Sequence, residues 1–494
     1  MRIILLIILG CFGNGMLAKG QRFSVLMQRL PPAAMRSDLV LLKKILEANH
    51  PSLYWYSSKA SIDSSFETLE NSLTDSLTTI EFRNRVATWI SLIKCGHTVV
   101  RLPKKISREF QQNKVAMFPL QVKVWGDSMV VLNNPRKGDT ILTRGTILQS
   151  VNGYSNKAIT DRIFSSISTD GDAINHRNQV ASNSFPFWHA LHFGTDSLYR
   201  IQYINPAGKT DSTVIRPFSP TERMAQQKQS DSLAVINPPV MSKREMRQLS
   251  RRSLTIDTLQ RAAFMRVNTF SRGSLKSFFR KSFRKMSALQ IEHLVIDLRN
   301  NSGGRVSSST ALTKYLSKQP FKIGDTVAAI SRKFRYSRYI KPVVPFWLAM
   351  NLGAVKAADG TIHYRRYEQH FYSPKTRHHF DGNIYLLQGG YTFSAATMFI
   401  AALKNQENVT VIGEESGGGY YGNSAMHIPN ITLPESRLSV SLPLYKLVMD
   451  KNRTKGRGIL PDIAVPPSSA AIRAGIDLKT DTVLSLIKTK KPSR

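Results

Sequence analysis

Two features of this 494-residue chain are placed to do chemistry: a serine where a strand turns into a helix, and a glycine pair that ends a buried strand. The serine is Ser394, in Gly389-Gly-Tyr-Thr-Phe-Ser-Ala-Ala396. The glycines are Gly303 and Gly304, closing Val295-Ile-Asp-Leu-Arg-Asn-Asn-Ser-Gly-Gly304. A Gly-Gly turn after an apolar strand leaves backbone N–H groups free to point at a developing oxyanion, and a hydroxyl at a helix start can attack a carbonyl. Each feature also has a plain structural reading. A serine opening a helix is most often an N-cap, and Gly-Gly can be only a tight turn. A third glycine-rich stretch, Gly413-Glu-Glu-Ser-Gly-Gly-Gly419, is followed by Gly458-Ile-Leu-Pro-Asp462.

The elements that must hold these stretches alternate between strand and helix from Ala262 onward. Strands are expected at Ala263 to Val267, His293 to Leu298, Asn383 to Leu387 and Val409 to Gly413. Helices are expected up to about Met286, from Ser307 to Leu316 and from Ser394 to Leu403. Apolar strands each followed by a helix predict an α/β core with mostly parallel pairing, over 261–470. Residues 21–110 read as a helical domain. Ser37 is positioned to cap a helix bearing Leu39, Leu42, Ile45 and Leu46, and Thr78-x-x-Glu81 is a capping-box pattern before Phe82, Val86, Trp89 and Ile90. That domain runs into Cys95-Gly96-His97-Thr98. Residues 111–216 change to strand period, 217–260 read as a basic linker or insertion, and 471–494 as a basic C-terminal tail.

Met1-Arg2, a short apolar run and Ala18-Lys19-Gly20 predict a signal peptide over 1–20 and an exported protein, periplasmic or associated with the cell envelope. Ile8-Leu9-Gly10-Cys11 offers the rival reading of a lipobox, with a lipid on Cys11. The only other cysteine is Cys95, so loss of the signal would leave no intrachain disulfide. No Cys/His spacing suggests a metal, and no metal or cofactor is expected. The formal net charge is +36, spread over many segments. Such a surface attracts polyanions, an anionic envelope surface among them. Basic clusters beside Phe334, Tyr336 and Tyr339 would suit single-stranded nucleic acid, but no nucleic-acid motif accompanies them and no specific nucleic-acid partner is expected.

The ordered blocks resemble those of the C-terminal-processing and tricorn-core serine peptidases. Asp297 to Gly304 is similar to their D-L-R-x-N-x-G-G signature. Phe393-Ser394-Ala395-Ala396 is similar to their nucleophile turn, with Thr397 where many members carry an acid. Val411 to Gly418 and Gly458 to Ile463 resemble the later blocks, and Gly145 to Gly153 resembles the G-x-x-I-x-x-I-N-G core of PDZ domains. The resemblance implies a crotonase/ClpP-like α/β catalytic core with an N-terminal helical domain and a PDZ-like β-rich domain. It implies an exported serine endopeptidase acting through an acyl-enzyme on unfolded or C-terminal protein segments. In the Ser-Lys branch a lysine would stand at Gly419, so the resemblance favours the tricorn-like branch, whose D-G-H-T pattern Cys95-Gly96-His97-Thr98 follows except at its first residue. By that resemblance Ser394 is the nucleophile, His97 the general base and the N–H groups of Ala395 and Gly304 (or Gly303) the oxyanion donors. Asp450 or Glu415 is the acid that orients His97. The alternative is an inactive peptide- or polyanion-binding protein on the same fold.

Overall fold

The computed structural model describes residues 26–489 apart from 113–114, 137, 219–221, 223–240, 334 and 359. The expected signal peptide, Cys11 and Phe334 lie outside the described residues. Its centre is a six-stranded sheet in the order Arg252–Asp257, Ala262–Val267, His293–Asp297, Asn383–Gln388, Val409–Gly413, Ile463–Ala464. The first pair is antiparallel and every later pair parallel. Parallel strands covered on both faces read as unbroken apolar runs, which is why His293–Asp297 and Asn383–Gln388 stood out in the sequence.

Alternation along those strands divides two cores. Leu294, Ile296, Ile384 and Leu386 face a cluster with Phe279, Phe283, Leu312, Phe399 and Leu403. Val295, Tyr385, Leu387 and Ile412 face Val483 and Ile487 on the helix Leu478–Thr489. Residues expected as a basic tail therefore form a helix that covers one face of the sheet. Its Val483, Leu486 and Ile487 supply the apolar stripe, and the lysines point elsewhere. The edge strand Arg252–Asp257 likewise falls inside the stretch expected as a linker. An edge strand with one half-exposed side lacks the apolar run that marks its neighbours.

The N-terminal helices Pro32–Asn49, Lys59–Asn71 and Thr79–Ser91 do not form a core of their own. Leu39, Leu42, Phe82 and Ile90 belong to the same cluster as Leu294 and Phe399. The first helix begins at Pro32, where a proline at the helix start needs no N–H partner, so Ser37 lies inside it. The Thr78–Glu81 capping box forms: Thr78 Oγ1 accepts from Glu81 N at 3.2 Å and Glu81 Oε2 accepts from Thr78 N at 2.7 Å.

The strand-rich segment has a separate core, with Val122, Val131, Leu148, Ile159, Phe185 and Ile201, under an antiparallel sheet ordered Gln121–Trp125, Ser128–Asn133, Ile147–Val151, Tyr199–Ile204, Thr210–Ile215. Asn152 and Gly153 have φ of +49° and +82°, the paired left-handed geometry of a tight hairpin turn, and join Ile147–Val151 to Tyr154–Ser155. A four-stranded antiparallel sheet, Ile340–Lys341, Asn430–Thr432, Ser439–Ser441, Val100–Arg101, ties the segment just after His97 to the α/β core. No helix among the described residues is long and apolar enough to cross a membrane.

Candidate active site

Strand Asn383–Gln388 ends at Gly389-Gly390, and the chain reverses through Thr392, Phe393 and Ser394 into helix Ala395–Leu403. Ser394 sits at the corner with φ +53° and ψ −123°, a conformation costing a non-glycine residue roughly 1–3 kcal/mol. Such strain persists only where the surroundings over-determine it, and here they do. Thr392 Oγ1 donates to Leu298 O at 2.9 Å and accepts from Gly389 N at 3.1 Å. Thr397 Oγ1 donates to Thr392 O at 3.2 Å, and Phe393 N to Asn301 O at 3.1 Å. Thr397, where the resemblance would place an acid, thus fastens the corner from inside.

The Gly-Gly turn lies directly against Ser394. A Cβ on Gly303 (φ +98°) would stand 2.7 Å from Ser394 Cβ and 2.9 Å from Ala395 N. Asn301, fully buried, holds the turn by donating to Val267 O at 2.9 Å and accepting from Gly303 N at 2.8 Å. Gly303 N–H is therefore spent inside the turn. The bridge to Phe270 uses Gly303 O and Arg305 N, so Gly304 N–H points the other way. Ala395 N–H, at the start of its helix, has no intrahelical acceptor. Asp297 and Arg299 pair at 2.8 Å, and Arg299 also reaches Asp477 at 2.7 Å, which anchors the strand end.

His97 arrives from the other end of the chain. Ser441 Oγ donates to His97 O at 2.6 Å and accepts from Val99 N at 3.0 Å. Thr98 is held by His50 Nε2 at 2.8 Å and by Ser168 Oγ, which donates to Thr98 O at 2.8 Å. The His97 imidazole lies 4.7 Å from the ring of Phe393, the residue before Ser394, and His176 stacks on the same phenylalanine at 4.7 Å. The fold thus brings His97 beside the serine corner. Among the described residues no hydrogen bond joins its ring to Ser394, and its Nδ1 is buried without a partner. Burial, then the nearby His176, holds the imidazole down to about 3.

The carboxyl group beside His97 belongs to Asp170, which sequence reasoning missed. It accepts from Gly96 N at 2.8 Å and from Gly419 N at 3.4 Å, joining the His97 loop to the third glycine-rich stretch. Burial pushes it up to about 7 despite those two donors. The two acids singled out in the sequence are occupied elsewhere. Asp450 pairs with Arg453 at 3.2 Å and accepts from Asn452 N at 2.9 Å. Glu415 pairs with Arg457 at 3.2 Å and accepts from Gly458 N at 2.8 Å. Cys95, His97 and Asp170 each offer a donor atom within 4.8 Å of the others, a set of metal-ligand types. Burial raises the Cys95 thiol to about 12, so it is neither a thiolate nucleophile nor a ready ligand at neutral pH.

Residues 261–465 match the model of peptidase family S41. No curated protein matches. Among solved structures, mature CPAF superposes with a TM-score of 0.64 at 15% identity, covering 92% of this chain and 97% of that one. Mature CPAF complexed with lactacystin gives 0.63 at 15% identity, covering 93% and 99%. The family match begins well after the His97 segment.

Proposed function

We propose, from the match of residues 261–465 to peptidase family S41, that the chain is a serine-type peptidase and that Ser394, His97 and Asp170 form its hydrolytic site. The observation that carries this reading is the strained Ser394 corner seated on Gly303, a geometry that presents Oγ at the start of a helix. Ser394 Oγ attacks the scissile carbonyl while His97 takes its proton. Ala395 N–H and Gly304 N–H receive the oxyanion, Gly303 N–H being committed to Asn301. Collapse of the tetrahedral species expels the amine with the proton from His97 and leaves an ester on Ser394. Water, deprotonated by His97, then hydrolyses the ester and frees the serine.

An imidazole held near 3 is a weak base. An ionised Asp170 beside it favours the imidazolium and raises its basicity, so Asp170 replaces Asp450 and Glu415 as the acid of the site. Substrate is an unfolded or C-terminal segment of a protein exported to the envelope. The edge strand Thr210–Ile215, bordering an open cavity of about 750 Å³ lined by Arg136, Leu198 and Phe218, supports capture of an extended chain by strand addition. The unpartnered His97 Nδ1 is what favours the rival reading, an inactive peptide binder. Hydrolysis of an unfolded protein such as reduced casein separates them: the wild type cleaves and Ser394→Ala does not. Equal cleavage by both would remove Ser394 from the mechanism.

A further inference from the structure

Helix Val344–Gly353 is packed on one side only. Met350 is buried, and Phe346 meets the ring of His427 at 5.7 Å. Val344, Trp347, Leu348 and Leu352 are exposed and recur at the spacing of one helical face, with exposed Val355 just beyond the end. Leu352 is 84% exposed and Trp347 48%. A contiguous apolar stripe left in water marks a binding surface.

Charge identifies what it binds. No acidic residue occurs between Asp325 and Asp359, while Arg332, Lys333, Arg335, Arg338, Lys341 and Lys356 flank the helix in sequence. None of these cations enters an ion pair among the described residues, whose nearest pairs in sequence are Lys322–Asp325 and His363–Glu368. Arg332 donates to Ala354 O, and Arg338 lies 4.6 Å over Tyr339. A second copy of this chain on the same face would bring two sets of unpaired cations together. A nucleic acid would neutralise the cations but leave Leu348 and Leu352 in water. One surface satisfies both halves, since a bilayer rich in anionic phospholipid offers negative headgroups above an apolar interior.

We propose that helix Val344–Gly353 and its flanking cations form a docking surface for an anionic phospholipid bilayer. Trp347, Leu348 and Leu352 enter the headgroup boundary while Lys333, Arg335, Arg338 and Lys356 meet phosphates. The strand Ile340–Lys341 just before this helix is the far edge of the sheet whose other edge, Val100–Arg101, follows His97. Docking would thus set the peptidase beside the bilayer, where exported chains emerge. The inference does not depend on which residues hydrolyse the peptide.

Co-sedimentation of the purified protein with vesicles tests it, comparing phosphatidylcholine alone with phosphatidylcholine containing phosphatidylglycerol, at low and high salt. The mixed vesicles bind at least about tenfold more protein at low salt, and high salt weakens that binding. Leu348→Asp with Leu352→Asp, and separately Lys333→Glu with Arg338→Glu, each lower it about tenfold. All four positions are exposed, so the melting temperature and active-serine labelling stay at wild-type values. Quenching by brominated lipid, absent in Trp347→Phe, locates the contact at this helix. Undiminished vesicle binding by the Leu348→Asp/Leu352→Asp protein would overturn the proposal. So would heparin binding that the charge reversal abolishes with no binding to mixed vesicles, which would make this a polyanion surface.

Discussion

The two halves of the site are held in different ways. On the Ser394 side, side chains of the turn itself fasten it to the surrounding backbone. Asn301, Thr392 and Thr397 bond inward, and Gly303 packs against the serine itself. On the His97 side only the backbone is fixed. Ser441, His50 and Ser168 hold Cys95 to Thr98 in place, yet the imidazole rests on Phe393 with Nδ1 unpaired. The nucleophile half is therefore preorganised, whereas the base half, in the proposed mechanism, depends on the buried Asp170 carboxyl for its basicity. Substitutions should divide along that line.

The largest effect is expected where the rigid half leaves no room. Gly303→Ala forces a methyl to 2.7 Å from Ser394 Cβ and 2.9 Å from Ala395 N at φ +98°, and by displacing the nucleophile and the Ala395 N–H it should lower kcat/KM about 10³-fold. Steady-state kinetics on a peptide ester would check this, and a change of less than about tenfold would show that the turn is not part of the site. On the base half, Asp170→Asn should cost about 10²–10⁴-fold. It should also change the pH profile. The Asp170 carboxyl, raised to about 7, is mostly protonated below neutrality and ionised above, so wild-type kcat/KM rises through pH 7. The Asn variant should lack that rise.

A smaller effect concerns stability. His50, His97, His176, His189 and His192 are all lowered from 6.5 to about 3 or 4, chiefly by burial. A depressed folded value means the unfolded chain binds protons first. The stability these groups contribute is complete above pH 6.5 and is lost as pH falls toward 4. Asp170 acts oppositely, favouring the fold below 3.8 and losing that contribution through 7, but it is one group against five. Urea midpoints should therefore fall as pH drops from 6.5 to 4, and a flat profile would show these histidines to be solvated. The smallest effect is expected for Asp450→Asn, whose ion pair with Arg453 is surface-like and worth about 1 kcal/mol or less. Its kcat/KM should stay within about threefold of wild type, and a larger loss would return Asp450 to the site.

What was legible in the sequence follows the same division. The serine corner is built from contiguous pieces, so a buried strand, two glycines and an apolar helix disclosed it locally. The antiparallel segment with its Asn152-Gly153 turn was legible for the same reason. Asp170 was not, because its meaning lies in contacts with Gly96 and Gly419, far away in sequence. In Ser165-Ser-Ile-Ser-Thr-Asp-Gly171 it reads as an ordinary turn acid, and the only local hint is the absence of a neighbouring cation. The helix Leu478–Thr489 was obscured by its lysines, although Val483, Leu486 and Ile487 carry helical spacing. The N-terminal helices were legible one by one, but not their merger with the α/β core.

The proposed hydrolysis requires Ser394 and His97, far apart in sequence, to act as one unit. Labelling by a fluorophosphonate, followed by mass spectrometry of the adduct in wild type, Ser394→Ala and His97→Ala, tests that most directly. The prediction is a single adduct on Ser394, absent from Ser394→Ala and formed at least about 10³-fold more slowly in His97→Ala. Labelling at another residue, or at an undiminished rate in His97→Ala, would contradict it.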